Sequence, residues 1–405
     1  MKYAASARSA WVERYLAEHC FSPPASSRLT FGAELELLAY TSPSHTIAPI
    51  VGQHGQTGTL DIVRIAAKSM RWAECVSAKG VPRFASASGG SLTFEPGGQL
   101  EYASAVHHSL DALAHELTTV ESLLTRVAQE HGIELVARGV DPYNGASDAP
   151  LQLTAERYAR MARHFATIGA DGARMMRQTA SLQVNIGGIR PTERWAVANA
   201  MAPMLVAMFA NSAQYAGTDT GCASYRAETW RGVDPCRTGV FDSGDPVREY
   251  AAFALRASAI LAADESVPFH ALPDGVATDA ALATHLTTLF PEVRPRQYLE
   301  LRSIDAVDGA RRAIALGLVA GVLCDGAAAQ DAVDLLGRPD EDVLRAAGIA
   351  GLADEPWASR ARDLIDIAAR GCMRLGGDIV SPALVEEMRA AFGAVAGLAS
   401  PTARS

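Results

Sequence analysis

Residues 91–104 read SLTFEPGGQLEYAS, and residues 31–39 read FGAELELLA. Apolar and polar residues alternate in both stretches, which is typical of β-strands because successive side chains point to opposite faces. A Pro-Gly-Gly break divides the first stretch into two strands. The polar positions are mostly acids and amides: Glu34, Glu36, Thr93, Glu95, Gln99 and Glu101. These segments therefore predict strands with one apolar face and one largely acidic face.

Two later stretches follow the same alternation, SLQVNIGG at 181–188 and QYLELRSID at 297–305. Their polar positions are Gln183, Asn185, Glu300 and Arg302. The polar face of an ordinary half-buried strand simply meets water. Carboxylates that lie side by side repel each other unless a cation separates them. We therefore interpret five of these acids as oxygen ligands for a hard divalent ion such as Mg²⁺: Glu34, Glu36, Glu95, Glu101 and Glu300.

Helical periodicity is clear at 60–75, 107–132 and 153–169, and the chain after residue 306 is rich in alanine and leucine. Residues 196–210 are apolar but too short to span a bilayer, so they predict a buried helix. Although 405 residues are long for one domain, no linker divides the chain. We predict a mixed core of strands and helices over 1–305, with 306–405 as a helical layer packed on it.

Composition excludes several classes of protein. The net charge of −9 argues against a nucleic-acid partner, because phosphate binding requires a basic face. The six cysteines include no C-x-x-C pair, so neither a disulfide framework nor a zinc site is expected. The opening MKYAASARSAWVERYL lacks the apolar segment of a signal peptide. We expect a soluble cytoplasmic protein with no membrane partner.

Taken together, the strand motifs resemble the carboxylate–amine ligase family that contains the plant-type and bacterial glutamate–cysteine ligases. The matching stretches are FGAELE, SGGSLTFEPGGQLEYAS, GVDP, MMRQTASLQVNIG, ANS, SYRAETWRGVDPCRTG and HLTTLFPEVRPRQYLELRSID. They run from Phe31 to Asp305, about two thirds of the chain. LTTLFPEVRPRQYLELR and the Thr-Ala-Ser before Gln183 are similar to the branch that serves ergothioneine biosynthesis.

This resemblance implies an α+β, glutamine-synthetase-like fold in one catalytic domain over 1–405. A curved, mainly antiparallel sheet would form a funnel-shaped active site with helices packed outside. The implied reaction joins the γ-carboxyl of glutamate to the amino group of cysteine through γ-glutamyl phosphate. Its substrates would be glutamate, cysteine and ATP, its cofactor two or three Mg²⁺ ions, and its products γ-glutamylcysteine, ADP and phosphate. The resemblance is compatible with a monomer or a homodimer.

The resemblance also assigns roles to individual residues. The metal ligands would be Glu34, Glu36, Glu95, Glu101 and Glu300. Glu300 and Arg302 would be catalytic, with Arg302 facing the ATP phosphates. The glutamate pocket would contain Thr179, Gln183, Arg226 and Trp230. The remaining ATP contacts would be Asn185 and Arg237.

Several of these residues have simpler interpretations. Arg226, Arg231 and Arg237 could form a solvated basic stretch. Trp230 could belong to the core, and Met175 and Met176 are interpreted as packing residues.

The chain departs from the commoner family pattern at two positions. Gln178 and Ala180 stand where an arginine and a cysteine flank the threonine in that pattern. The amine acceptor is therefore open at this stage. A ligase that uses another amine, or a catalytically inactive nucleotide-binding relative, is the alternative.

Overall fold

The computed structural model describes residues 2–22, 26–53, 55–77, 80–242, 244–261 and 267–399. The strands are β1 (Thr30–Thr41), β2 (Thr46–Ile47), β3 (Ala73–Cys75), β4 (Arg83–Ala85), β5 (Ser91–Phe94), β6 (Leu100–Ala103), β7 (Ile133–Val136), β8 (Ser181–Gly187), β9 (Gln214–Tyr215), β10 (Thr218–Asp219), β11 (Val293–Pro295) and β12 (Leu299–Asp305). The helices are α1 (Lys2–His19), α2 (Thr59–Met70), α3 (Leu110–Glu130), α4 (Glu156–Ala166), α5 (Asp171–Gln178), α6 (Pro191–Met208), α7 (Tyr225–Val233), α8 (Pro246–Arg256), α9 (Asp279–Leu286), α10 (Gly309–Leu323), α11 (Gly326–Leu336), α12 (Glu341–Ala350), α13 (Glu355–Leu375) and α14 (Pro382–Ala399).

One open sheet organises the protein. Its strands follow the order β11-β12-β8-β1-β6-β5-β4-β3, and every neighbouring pair is antiparallel. The long strand β1 pairs with β8 and β6 through its first half and with β7 and β2 through its second half. The predicted mainly antiparallel sheet is therefore confirmed. Strand β1 is central to it, because it pairs with four other strands.

Helices cover the apolar face of this sheet. Leu35 and Leu182 are opposite each other in the register of β1 and β8, and both are fully buried. The helices α6 and α10 pack on the adjoining strands β12 and β8. Burying each such leucine contributes about 1.5–3 kcal/mol, so the alternation seen in the sequence fixes which face turns inward. The opposite face carries the acids and amides.

The predicted helices agree with the structure except at one end. The periodic stretches 107–132 and 153–169 correspond to α3 and α4, and the apolar stretch 196–210 lies largely in the buried helix α6. The prediction over 60–75 is wrong beyond Met70. Arg71 adopts a left-handed conformation with φ 58°, which ends α2, and the residues after it form the edge strand β3. Pairing with β4 satisfies the backbone there, which local periodicity could not indicate.

The C-terminal segment is helical and shares the core of the rest of the chain. Helix α10 packs between α13 and α14 and contacts α3, while α11 and α12 pack on α6. Val12 near one end and Met388 near the other belong to one continuous hydrophobic cluster. No single helix in the described ranges is long and apolar enough to cross a bilayer. The pair α10 and α11 would suffice by length and composition, but it is bent by 103°.

Candidate active site

The acidic face of the sheet forms a cavity of about 300 Å³, which we call the carboxylate cavity. Four of the five predicted metal ligands line it: Glu34, Glu36, Glu95 and Glu101. The first two lie on β1, the last lies on β6, and Glu95 follows β5 directly. Acids from three chain segments therefore meet at one concave surface.

Strand register explains why these residues meet. Glu36 is opposite Glu101 in the pairing of β1 with β6, and Glu34 is opposite Gln183 in the pairing with β8. Asn185 is opposite Glu300 where β8 pairs with β12. Residues directly opposite each other in antiparallel strands share a face. The predicted polar positions of all four motifs thus lie on the same side of the sheet.

Hydrogen bonds fix the carboxylate of Glu36. Its Oε2 accepts from the Ser181 backbone N–H at 2.7 Å and from the Ser181 hydroxyl at 3.0 Å, and its Oε1 accepts from Gln183 Nε2 at 3.3 Å. Burial, followed by repulsion from Glu95, raises the pKa of Glu36. For Glu34, burial and then repulsion from Glu300 raise the pKa to about 7. The cavity therefore concentrates negative charge that a cation would relieve.

Glu300 is fully buried and lies among three guanidinium groups. Its Oε1 accepts from Arg294 Nη1 at 3.0 Å and also from Arg302, and its Oε2 accepts from Arg296 Nη1 at 3.4 Å. Burial by itself would raise the pKa of Glu300, but these arginines outweigh it and hold the pKa at about 2. Metal binding by Glu300 would therefore require at least one of the three arginines to move.

Arg294 and Arg296 are site residues that sequence reasoning missed. Both line the carboxylate cavity together with Arg302. Arg294 lies opposite Glu300 in the pairing of β11 with β12. The alternating R-P-R that precedes the Y-L-E-L-R motif was the available signal. The proline made that segment a weak strand, but an edge strand such as β11 tolerates proline.

Thr179 and Trp230, both predicted for the glutamate pocket, line the cavity, and so does Gln99. Gln99 Nε2 donates to the Thr179 carbonyl oxygen at 2.9 Å, which links the loop after β5 to the start of β8. Met175 and Met176 also line the cavity, so they contribute to its surface and are not packing residues alone. Gln183 connects Glu36 to Arg302, because its amide nitrogen donates to Glu36 and its amide oxygen accepts from Arg302.

Arg226 does not line the cavity, so its direct contact with glutamate stays a prediction. Its guanidinium stacks at 4.6 Å on the ring of Trp230 and donates to the Arg302 carbonyl oxygen at 2.9 Å. Trp230 is therefore the residue that lines the cavity, and Arg226 packs against its ring without lining the cavity itself. Because Arg226 is only 3% exposed, the alternative interpretation as a solvated basic stretch is wrong for this residue.

Arg237 does not line the cavity, so its contact with ATP stays a prediction. Its side chain is fully buried. It donates to Asp234 Oδ2 at 3.0 Å, to the Thr288 hydroxyl at 3.0 Å and to the Ser258 carbonyl oxygen. All its donor nitrogens are thus used inside the protein, where they tie α7 to the segment after α9. Arg237 is a structural residue.

Several matched motifs without a predicted role converge on Asp305. Its Oδ2 accepts from the Asn211 backbone N–H at 2.8 Å and from the Ser212 hydroxyl at 2.7 Å, and its Oδ1 accepts from the Ser224 hydroxyl at 3.0 Å. Gly139 packs so closely that a Cβ atom there would lie 2.3 Å from the Asp305 carboxyl carbon. The G-V-D-P, A-N-S, S-Y-R and S-I-D motifs therefore build the support beneath Arg226 and Trp230.

The donor types in the cavity fit Mg²⁺, which prefers carboxylate and carbonyl oxygens. The Oδ1 atom of Asn185 adds a buried acceptor, since it has no hydrogen-bond partner within the described ranges. In the conformation seen, no three acidic, histidine or cysteine side chains of the described residues are arranged as a metal site. Glu34, Glu36, Glu95 and Glu101 nevertheless line one cavity.

Comparison with known proteins agrees with the fold. The family model for glutamate–cysteine ligase family 2 matches residues 30–389. The glutamate–cysteine ligase EgtA of Mycolicibacterium smegmatis is 32% identical over 323 residues, which cover 74% of this chain and 73% of that protein. The EgtA of Mycobacterium tuberculosis is 35% identical over 311 residues, which cover 70% of each chain.

A more distant relative and a solved structure extend the comparison. The chloroplastic glutamate–cysteine ligase of Medicago truncatula is 28% identical over 267 residues, which cover 60% of this chain and 52% of that protein. The crystal structure of the Francisella tularensis glutamate–cysteine ligase in complex with AMP has a TM-score of 0.53 at 12% identity. The alignment covers 95% of this chain and 85% of that one, which shows a shared fold. The chain therefore belongs to glutamate–cysteine ligase family 2.

Proposed function

We propose that this protein is an ATP-dependent glutamate–cysteine ligase. Membership of the family and the relatives named glutamate–cysteine ligase support this activity. The observation that carries the proposal is the carboxylate cavity itself, which is lined by four glutamates and by four arginines, Arg157, Arg294, Arg296 and Arg302. Acids that can hold a divalent cation and guanidinium groups that can contact phosphate are what phosphoryl transfer from ATP requires.

The reaction has two steps that share one activated intermediate. An oxygen of the glutamate γ-carboxylate attacks the γ-phosphorus of ATP, the bond to the β-phosphate oxygen breaks, and ADP leaves. The amino nitrogen of cysteine then attacks the carbonyl carbon of γ-glutamyl phosphate and loses a proton. Phosphate leaves with the electron pair of the carbon–oxygen bond, which gives γ-glutamylcysteine.

The arginines would stabilise the charge that is transferred. Arg302 and Arg296 line the same cavity as the four glutamates. Arg302 is held in place by donation to Glu300 and Gln183, so little reorganisation is needed when negative charge develops on the phosphoryl group. Glu300 acts here by orienting the guanidinium groups around it.

The glutamates would hold two or three Mg²⁺ ions. The proposed ligands are Glu34, Glu36, Glu95 and Glu101, with Glu300 after a change of its partners. Bound Mg²⁺ would neutralise the phosphate oxygens and orient the γ-phosphate. Asn185 lies opposite Glu300 and faces the same side of the sheet as the glutamates, which supports its proposed contact with ATP.

Glutamate would bind in the cavity against Thr179, Gln99 and Trp230. Its γ-carboxylate would then point toward Arg302, which Gln183 connects to Glu36. Gln178, one of the two positions that depart from the commoner pattern, is fully buried. It donates to the Asn144 carbonyl oxygen and accepts from the Tyr215 hydroxyl. This buried position supports a structural role for Gln178.

An acceptor screen tests the proposed activity. Purified protein with Mg²⁺, ATP and glutamate should release ADP fastest with cysteine among a panel of amino acids and small amines. A clear preference for another amine would replace cysteine as the acceptor. No phosphate release above background with any amine would favour an inactive nucleotide-binding relative.

We also propose a cytoplasmic location and a monomeric or homodimeric state. All six cysteines are free thiols, which suits a reducing compartment. Fractionation of the native organism and light scattering of the purified protein would test these two points.

A further inference from the structure

A cavity of about 280 Å³ lies among three helices and is separate from the active site. It is lined by residues from 111–118 of α3, 309–316 of α10 and 383–387 of α14, and we call it the three-helix cavity. No described residue lines both this cavity and the carboxylate cavity. Helix α10 packs on β8 in the layer that covers the apolar face of the sheet, whereas the carboxylate cavity lies on the acidic face. A ligand in the three-helix cavity would therefore not compete directly with the substrates.

Arg312 of α10 is a buried cation in the lining of this cavity. Its side chain is only 3% exposed, and its Nη2 donates to Glu121 of α3. A Cβ atom at Gly309, which also lines the cavity, would lie 3.3 Å from Arg312 Nη2, so the guanidinium lies beside the cavity wall. The Nη1 atom is buried and has no hydrogen-bond partner among the described residues. Because a buried donor loses its hydration, it is normally paired, and Nη1 is available to an anionic group of a ligand.

Three helices begin close to this cationic group. Helix α3 begins at Leu110, α10 at Gly309 and α14 at Pro382, and the cavity is lined from the first turns of all three. The N-terminus of a helix carries a partial positive charge, which favours an anion within the first turn. The helix ends therefore act in the same direction as the unpaired Nη1 atom of Arg312, and together they favour a carboxylate.

Two acids also line the cavity, Asp111 and Glu387. Asp111 accepts from the Ser381 backbone N–H at 2.9 Å and from the Ser381 hydroxyl, so its charge already serves the start of α14. Glu387 is exposed and makes no ion pair within the described ranges, while Arg389 of the same helix pairs with Glu386. The cavity thus offers one available cationic donor and one available acid, which are complementary to a zwitterion.

Most of the remaining surface of the cavity is apolar. His115 and Thr118 are exposed polar residues of α3, and the other members are leucines and alanines: Leu117, Leu316, Leu384, Ala114, Ala313 and Ala383. Apolar walls favour an apolar group, because its transfer from water is favourable. A cavity of this volume is at the lower end of the range for small-molecule sites, so the ligand must be small.

We propose that the three-helix cavity binds a free amino acid with an apolar side chain. The carboxylate would accept from Arg312 Nη1, the ammonium group would lie near Glu387, and the side chain would contact the leucines. An amine without a carboxylate would leave the Arg312 donor unpaired, and a carboxylic acid without an amine would leave Glu387 unused. This site is independent of the proposed ligase activity.

Calorimetry with the full-length protein tests the proposal. The probes are leucine, valine and methionine, together with two analogues of leucine. 4-Methylpentanoate lacks the ammonium group, and 3-methylbutylamine lacks the carboxylate. Each titration is repeated with excess glutamate, because glutamate would occupy the substrate pocket and expose any binding of the probe there.

The variants change the lining of the cavity and leave Arg312 in place. Ala383→Trp puts an indole at an exposed position that lines the cavity, and Ala390→Trp is the matched control at an exposed position of α14 that does not line it. Glu387→Gln removes the available acid. Its matched control is Glu386→Gln, because Glu386 is the exposed neighbour that does not line the cavity.

We expect the wild type to bind at least one of the three amino acids, and to bind both analogues more weakly than leucine. Ala383→Trp should weaken amino-acid binding by about tenfold or more, because the indole takes up the space of the ligand. Glu387→Gln should weaken it by about threefold without changing the binding of 4-methylpentanoate, since only the contact with the ammonium group is lost. Both control variants should behave as the wild type. Glu387→Gln serves if the tryptophan variant folds poorly.

Three results would overturn the inference. The first is no binding of any of the three amino acids to the wild type, and the second is wild-type affinity in both Ala383→Trp and Glu387→Gln. The third is binding that excess glutamate abolishes, which would place the probe in the substrate pocket. None of these results bears on phosphate release with cysteine, which tests the proposed function separately.

Discussion

Glu36 and Glu101 lie directly opposite each other on β1 and β6, and both line the carboxylate cavity. Like charges in directly opposite strand positions destabilise a sheet. Burial and repulsion from Glu95 raise the pKa of Glu36 as well. A protein keeps such an arrangement when the acids have a task, and we propose that the task is to hold Mg²⁺.

The first prediction concerns Glu36. Glu36→Gln removes a charge from the proposed metal site but keeps an oxygen that can accept from the Ser181 N–H. We expect kcat to fall by about 100-fold or more, because neutralisation of the phosphate oxygens is lost. Steady-state phosphate release measures the rate, and thermal unfolding should show a stable fold.

The matched control for this variant is Glu134→Gln. Glu134 lies on β7, which also pairs with β1, and its side chain is 41% exposed beside His45. This change should leave kcat within about twofold of the wild type. Near-normal turnover in Glu36→Gln would show that Glu36 does not act on the substrates.

The second prediction concerns metal binding. Glu101→Gln removes one of the four acids that line the carboxylate cavity, so it should weaken Mg²⁺ binding. With saturating Mg²⁺ and ADP, the wild type should gain more in Tm than the variant, since only the wild type keeps the full set of acids. An equal gain in Tm for both proteins would exclude Glu101 as a ligand.

Much of this site could be predicted from the sequence, because the period of two in a strand is a local property. The alternation around Glu34, Glu101, Gln183 and Glu300 fixed their face, and the structure places them on it. The family resemblance supplied their proposed chemistry.

The arginines were harder to predict. Arg226, Arg237, Arg294 and Arg296 look alike in the sequence, yet only the last two line the carboxylate cavity. Arg237 is occupied by Asp234 and Thr288, and Arg226 lies behind Trp230. Thr288 lies 51 residues from Arg237 in the chain. Asp234 and Trp230 lie close in sequence to the arginines that they contact, but their side-chain directions depend on the fold. Only tertiary packing decides whether a guanidinium meets a ligand or the protein.

The third prediction tests the support beneath the site. In Gly139→Ala the new methyl group would lie 2.3 Å from Cγ of Asp305, so the Asp305 hydrogen bonds to Ser212 and Ser224 must shift. We expect the free energy of unfolding to fall by about 1–3 kcal/mol. Urea denaturation would measure this loss as a lower midpoint, and the m-value should equal that of the wild type.

Gly169→Ala is the control for that variant. A Cβ atom at Gly169 meets nothing within 4 Å among the described residues, and its backbone is not left-handed. Its stability should match or slightly exceed that of the wild type. If both alanine variants were equally stable, the packing of Gly139 on Asp305 would not be a constraint.

The fourth prediction concerns the pH dependence of stability. His285 is fully buried against Phe269, its Nε2 contacts the Ala254 carbonyl oxygen at 2.8 Å, and its Nδ1 has no partner in the described residues. Burial lowers the pKa of His285 from 6.5 to about 4. The unfolded chain therefore takes up a proton near pH 6.5, and the folded chain does so only near pH 4. Folding loses up to about 3 kcal/mol as the pH falls through that window.

His285→Gln keeps a donor for Ala254 but cannot titrate. Its free energy of unfolding should fall less steeply than that of the wild type between pH 6.5 and 4. Parallel curves for His285→Gln and the wild type would contradict the assignment of this proton to His285.

The most direct test follows the oxygen atoms of glutamate. Glutamate labelled with ¹⁸O in its γ-carboxylate is incubated with the protein, Mg²⁺, ATP and cysteine, and the products are analysed by mass spectrometry. The account predicts γ-glutamylcysteine and ADP in equal amounts, with one ¹⁸O atom transferred to each phosphate released. Absence of the dipeptide, or a dipeptide formed with unlabelled phosphate, would contradict it.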